Sequence, residues 1–129
     1  MPRFVILEHD SPRGLHWDWM LETAGVLATW ALPQPPGPGL TLEAEALPDH
    51  RPAYLDYEGP ISGGRGSVTR WDQGTYDIER WDATSIAVIL HGSRIEGRAT
   101  LDKISTQPDR WRFSLLSSPR PPGSGCPES

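Results

Sequence analysis

Apolar residues in this chain come in short runs, and the runs alternate or sit solid rather than recurring every three to four positions. Phe4-Val5-Ile6-Leu7 is a solid run of the kind a strand shows when both faces are covered. Residues 16–21 alternate in character and read as a second strand, and residues 25–32 as a third. The stretch Pro33-Gln34-Pro35-Pro36-Gly37-Pro38-Gly39 can be neither helix nor central strand and reads as a loop. Residues 42–46 alternate Leu-Glu-Ala-Glu-Ala, a pattern open to a strand or a brief helix. Residues 68–71 and 75–79 flank Asp72-Gln73-Gly74, which reads as a hairpin turn with glycine where positive φ is needed. Residues 85–91 are β-branched and apolar, His91-Gly92-Ser93 turns the chain into residues 94–101, and residues 110–116 close the series. No long stretch holds a helical period, and no internal repeat is visible. About eight short strands at regular spacing predict a mainly β fold: a small closed or nearly closed β-barrel with little helix. The barrel domain spans residues 1–116. Residues 117–129 offer nothing to bury beyond one cysteine and read as a disordered Pro/Gly/Ser tail.

Composition narrows the function. A chain of 129 residues suffices for one core. Twelve basic against 17 acidic residues give a net charge of −5. Bulk charge therefore does not hold this protein on nucleic acid, and a phosphate ligand would need a local patch or a metal. The lone Cys126 excludes an intrachain disulfide. The N-terminal apolar run is too short for a signal peptide and no stretch could span a membrane, so the expectation is a cytoplasmic protein, with association with the nucleoid open.

Four histidines are present, and three of them fall in two short polar segments, His9-Asp10 through His16-Trp17-Asp18, and Asp49-His50-Arg51-Pro52. On an extended strand, His16 and Asp18 share a face. Imidazole with carboxylate suits a borderline divalent ion such as Mn²⁺, Zn²⁺ or Fe²⁺. His9, Asp18 and His50 are the first choice of ligands, since two imidazoles and one carboxylate leave coordination positions for water and substrate. Ordinary loop polarity is the plainer alternative. His16 is open to three roles: a fourth ligand, a general acid, or a group that orients a ligand. Asp10 faces the other way and suits a turn. Around His50, residues 41–58 carry five acids against Arg51 alone, a setting that favours a cation over a bare phosphate. The six tryptophans could stack bases, but core packing of Trp30, Trp71, Trp81 and Trp111 is the simpler reading. Gly63-Gly64-Arg65-Gly66 reads as a tight turn before it reads as a phosphate cradle.

Taken in order, these segments resemble the 3′-phosphoesterase domain of bacterial ligase D, which also occurs as a free-standing protein. The resemblance rests on Phe4-Val5-Ile6 into His9-Asp10, Leu15-His16-Trp17-Asp18, Leu21-Glu22 and Trp30-Ala31-Leu32-Pro33. It continues through Asp49-His50-Arg51-Pro52-Ala53-Tyr54, Tyr57-Glu58-Gly59-Pro60-Ile61, Trp71-Asp72-Gln73-Gly74-Thr75, Leu90-His91-Gly92 and Trp111. It covers about residues 3–116. It implies a barrel that holds Mn²⁺, or another divalent transition metal, and trims 3′ ends of DNA or RNA–DNA in end joining by removing a 3′-ribonucleoside or 3′-phosphate. Carried over, the metal ligands fall on His9, Asp18 and His50, and the assisting residues on His16 and Tyr54. Two family arginines are replaced, by Met20 two residues after Asp18 and by Leu42 eight residues before His50. Arg13, Arg51 or Arg65 would have to supply the phosphate-binding charge. The implied partners are 3′ ends of DNA or RNA–DNA and a separate repair ligase, polymerase or end-binding protein, with no membrane. Two alternatives stand beside this one. The first is a catalytically weakened, metal-containing module that binds ends or a partner; the second is a hydrolase acting on a different phosphoester.

Overall fold

The computed structural model describes residues 2–106 and 109–117. Nine strands follow one another: β1 (Arg3–Ser11), β2 (Gly14–Thr23), β3 (Val26–Leu32), β4 (Thr41–His50), β5 (Gly59–Pro60), β6 (Ser67–Trp81), β7 (Ser85–Gly92), β8 (Glu96–Thr106) and β9 (Asp109–Ser117). A 3₁₀ turn, Pro52–Leu55, stands between β4 and β5. All pairings are antiparallel in the order β1-β2-β3-β4-β9-β8-β7-β6, and β6 returns to β1. Eight strands thus close the expected barrel, and the two-residue β5 lies outside on β6. Residues 42–46 belong to a strand, within β4. Of the expected tail, residues 117–129, Ser117 ends β9 and the rest lies outside the described residues.

Local chemistry sets the turns. Ala24 and Gly25 both take positive φ, 51° and 83°, as the two-residue connection between β2 and β3 requires. The expected hairpin at Asp72-Gln73-Gly74 does not form. These residues lie within the continuous 15-residue β6. A bulge opposite Ile6 and Leu7 accommodates Trp71, and Asp72 turns its carboxylate to another loop. Its oxygens accept the backbone N–H groups of Gln73 (2.8 Å), Ser93 (2.8 Å), Arg94 (3.1 Å) and Ile95 (3.0 Å). Asp72 therefore caps the β7–β8 turn from across the sheet. Gly74 is needed for close approach: a Cβ there would sit 1.9 Å from the His91 carbonyl oxygen.

The barrel interior is filled by Phe4, Ile6, Trp19, Leu21, Trp30, Tyr76, Val88, Leu101, Trp111, Phe113 and their neighbours. Trp19 meets Phe113 edge-on at 5.0 Å and Trp30 meets Trp111 at 6.0 Å, so these tryptophans are packing residues. Trp71 and Trp81 pack against the same core, partly buried. The opposite parity of β1 and β2 faces outward, yet Val5, Leu7 and Met20 are also buried, with Leu27, Leu55 and Val68. The segment carrying the 3₁₀ turn covers them. This explains why Phe4-Val5-Ile6-Leu7 is solid: both faces of β1 are dry. Each of these six side chains contributes about 1.5–3 kcal/mol by burial. The exposed Arg3–Asp56 pair at 2.8 Å is screened by solvent and adds little to holding that segment.

Candidate metal centre

The outward face of β1 and β2 carries the polar cluster. His9 is the direct partner of His16 in the β1–β2 register, and Leu7 of Asp18, so Asp18 stands diagonally across from His9 and two residues along from His16. The ring centroids of His9 and His16 are 4.6 Å apart. Asp18 is 2% exposed. Its Oδ2 lies 2.9 Å from His9 Nδ1 and its Oδ1 lies 3.1 Å from His16 Nε2. The nearest ligand atoms of the three residues all fall within 4.8 Å of one another.

The backbone fixes which nitrogen each imidazole offers. His9 Nε2 lies 2.8 Å from the Arg65 carbonyl oxygen, His16 Nδ1 3.3 Å from that of Gly14, and His50 Nδ1 2.9 Å from that of Pro48. A carbonyl only accepts, so each of these nitrogens carries the proton and donates it. The other nitrogen of each neutral ring is then a lone pair. In His9 and His16 that lone pair faces an oxygen of Asp18. With both rings neutral, acceptor would meet acceptor, and Asp18 Oδ1 has no aligned hydrogen-bond donor although it is buried. Only a proton or a cation relieves such an arrangement. Asp18 is the principal reason that the His16 imidazole is held above its ordinary pKa, against the opposing effect of burial. Histidines anchored through one nitrogen to a backbone carbonyl, with the other turned to a carboxylate, fit a divalent transition ion.

A pocket of about 150 Å³ opens beside the cluster, lined by Leu7, His9, Asp18, Met20, His50, Tyr54, Ile61, Arg65 and Val68. The sequence-derived ligands His9, Asp18 and His50 therefore share one cavity. The tight three-residue group is His9, His16 and Asp18, and His50 stands on the pocket wall outside it. The Tyr54 ring meets His50 edge-on at 5.6 Å. Of the three arginines considered for phosphate, Arg65 lines this pocket, Arg51 lines an adjoining groove with Tyr54, and Arg13 lines a different groove beside His16. Met20, at the position where the resemblance implied an arginine, is 1% exposed and apolar. Leu42 points into the barrel interior, so its position on β4 does not face the pocket.

Sequence reasoning did not find the three backbone carbonyls, which carry no residue-type signal. One trace was present: a Cβ at Gly66 would lie 1.9 Å from the Asp10 carbonyl oxygen, so the glycine run lets residues 63–66 close on β1 and deliver the Arg65 carbonyl to His9.

Residues 7–103 match the family described as the DNA ligase D 3′-phosphoesterase domain. The chain is 41% identical over 124 residues to the "Multifunctional non-homologous end joining DNA repair protein LigD" of Mycobacterium tuberculosis, covering 89% of this chain and 16% of that protein. It is 35% identical over 126 residues to the LigD protein of Mycolicibacterium smegmatis, covering 84% and 16%. For the Pseudomonas aeruginosa LigD protein the figures are 33% over 126 residues, covering 90% and 15%. The chain spans about a sixth of the length of these curated relatives.

Proposed function

Because the chain belongs to the family of DNA ligase D 3′-phosphoesterase domains, we propose that it is a divalent-metal-dependent phosphoesterase. Its substrates are 3′ ends of DNA or RNA–DNA in end joining, from which it removes a 3′-phosphate or 3′-ribonucleoside. The observation that carries this reading is the buried Asp18 carboxylate with a ring nitrogen of each of two histidines turned on it. Asp18, His9 and His50 hold the ion, which we take to be Mn²⁺, with other divalent transition metals possible in its place. Bound there, it would draw charge from a phosphoryl oxygen and acidify a water. Asp18 supplies the compensating negative charge and orients both imidazoles. His16, whose pKa Asp18 raises, acts in its protonated form as the proton donor to a departing oxygen. Tyr54, whose ring lies against His50 at the pocket wall, assists at the same oxygen through its hydroxyl. Arg65 and Arg51 bind the phosphate oxygens from the rim, and Arg13 approaches from the His16 side. Residues 1–116 form the acting unit. Its partners are the nucleic-acid ends themselves and a separate ligase, polymerase or end-binding protein. Among the described residues no helix is long and apolar enough to cross a membrane, and we place the protein in the cytoplasm, with the nucleoid as its working site.

Purified protein with Mn²⁺ is expected to convert a primer ending in 3′-phosphate to one ending in 3′-hydroxyl, and His9→Ala to abolish the conversion. Absence of conversion with every divalent ion tried sinks the enzymatic reading.

Met20 favours a second reading, a metal-containing module that binds 3′ ends or a repair partner with little turnover. An apolar side chain beside Asp18 cannot replace a bidentate guanidinium on phosphate. Under this reading ends bind unchanged, and Met20→Arg raises turnover while lowering stability through its lost burial.

A further inference from the structure

The pocket at the metal centre is too small for the substrate that the proposed chemistry implies. About 150 Å³ is half of the roughly 300 Å³ at which ordinary small-molecule sites begin. It takes a terminal phosphate, and the rest of a strand must leave along the surface. Two grooves adjoin the centre, and charge separates them. One, of about 260 Å³, passes His16 and holds Arg13 and Arg110. Each arginine there faces a glutamate: Arg110 Nη1 is 2.5 Å from Glu43 Oε2, and Arg13 Nη2 is 4.0 Å from Glu45 Oε1. A polyanion laid in it would meet two carboxylates.

The other groove, of about 270 Å³, shares Tyr54, Ile61 and Arg65 with the centre and runs on to Arg51 and Tyr57. No carboxylate among the described residues lines it. Rings form a ladder from the centre into it: His50 of the central pocket meets Tyr54 edge-on at 5.6 Å, and Tyr54 meets Tyr57 at 90° and 5.9 Å. Tyr57 is 37% exposed, and its hydroxyl donates to the Pro60 carbonyl. Its ring is therefore fixed before anything binds, with surface left to cover. An ordered aromatic next to an unneutralised guanidinium is the chemistry that holds a base and its phosphate.

We propose that this groove is the strand channel: the nucleotide adjoining the 3′ end stacks on Tyr57, and its phosphate lies against Arg51. The inference rests on the 3′-end reading above and adds the direction in which the strand leaves. In a protein of net charge −5, this local pairing of arginine and tyrosine is what admits a polyanion.

The test is binding of single-stranded oligonucleotides of one to four nucleotides with 3′-hydroxyl ends, titrated into the Mn²⁺-loaded full chain. Wild type is expected to gain about tenfold or more in affinity from one nucleotide to two. Tyr57→Leu should lose most of that gain, and Tyr57→Phe, which keeps the ring, should retain it. Arg51→Gln should flatten the slope of log affinity against log salt by about 0.7, one single-strand phosphate contact. The channel is overturned by affinity independent of length in wild type, or by a gain that survives Tyr57→Leu. It is equally overturned if Tyr57→Phe loses the gain as fully as Tyr57→Leu, since the hydroxyl anchor alone would then matter. In a parallel arm the same oligonucleotides carry a 3′-phosphate: a length gain without release of that phosphate keeps the channel and removes the phosphoesterase reading, and release with flat length dependence does the reverse.

Discussion

Asp18 is the residue on which the site turns. A carboxylate at 2% exposure is ordinarily matched by donors, whereas this one is faced by two imidazoles whose other ring nitrogens are held by backbone carbonyls. Asp18→Asn keeps the shape and removes the charge. Its expected effect is a loss of at least about 100-fold in Mn²⁺ affinity, measured by titration calorimetry, with circular dichroism unchanged. A second residue-scale prediction concerns Tyr76. Its hydroxyl donates 2.6 Å to the Glu22 carbonyl in the core, and burial pushes its pKa up to about 12. The neutral phenol is the favoured form in the folded state. Its stabilising contribution is whole below the ordinary value of about 10 and is lost as pH rises from there toward 12. Absorbance at 295 nm should show a phenol ionising near pH 12 that Tyr76→Phe removes. A titration in which that variant leaves the latest phase in place would contradict the burial argument.

At the scale of elements, loops are held by groups distant in sequence. Asp72 in β6 fixes the β7–β8 turn through three of its four N–H contacts, and one of the donors, that of Ile95, is buried. Asp72→Ala would strand these donors, at a cost of on the order of 3–5 kcal/mol. That is a large part of the roughly 5–15 kcal/mol available to a domain. Urea denaturation should show the midpoint fall with an unchanged slope. The covering segment between β4 and β6 is held differently, by apolar burial of Leu55 against Val5, Leu7 and Met20. That contact sets Tyr54 at the wall of the candidate pocket.

For the whole molecule, closure governs behaviour. The barrel is complete only when β6 meets β1 and β4 meets β9, pairings that join residues far apart in the chain, such as Arg3 with Thr75 and Thr41 with Ser114. No subset of strands buries the shared interior of Trp19, Trp30, Trp111 and Phe113. Unfolding should therefore be a single transition, with tryptophan fluorescence and far-ultraviolet circular dichroism superimposing, and refolding should fall in the millisecond-to-second range of nonlocal β topologies. Separated transitions would show that part of the barrel stands alone. What the sequence by itself determined was the class of fold and the kinds of residue at the site. Strand-length apolar runs, breaker-rich loops, and the two-residue spacing of His16 and Asp18 are local properties, and local properties survive in one dimension. Only the tertiary structure decided that Asp72-Gln73-Gly74 runs through a long strand, because its partners are Ile95 and His91 across the sheet. Leu42 faces inward for a related reason, the parity of β4 within a closed barrel. Which imidazole nitrogens are free was equally invisible, since carbonyls from Gly14, Pro48 and Arg65 commit the others, and backbone oxygens are the same in every residue.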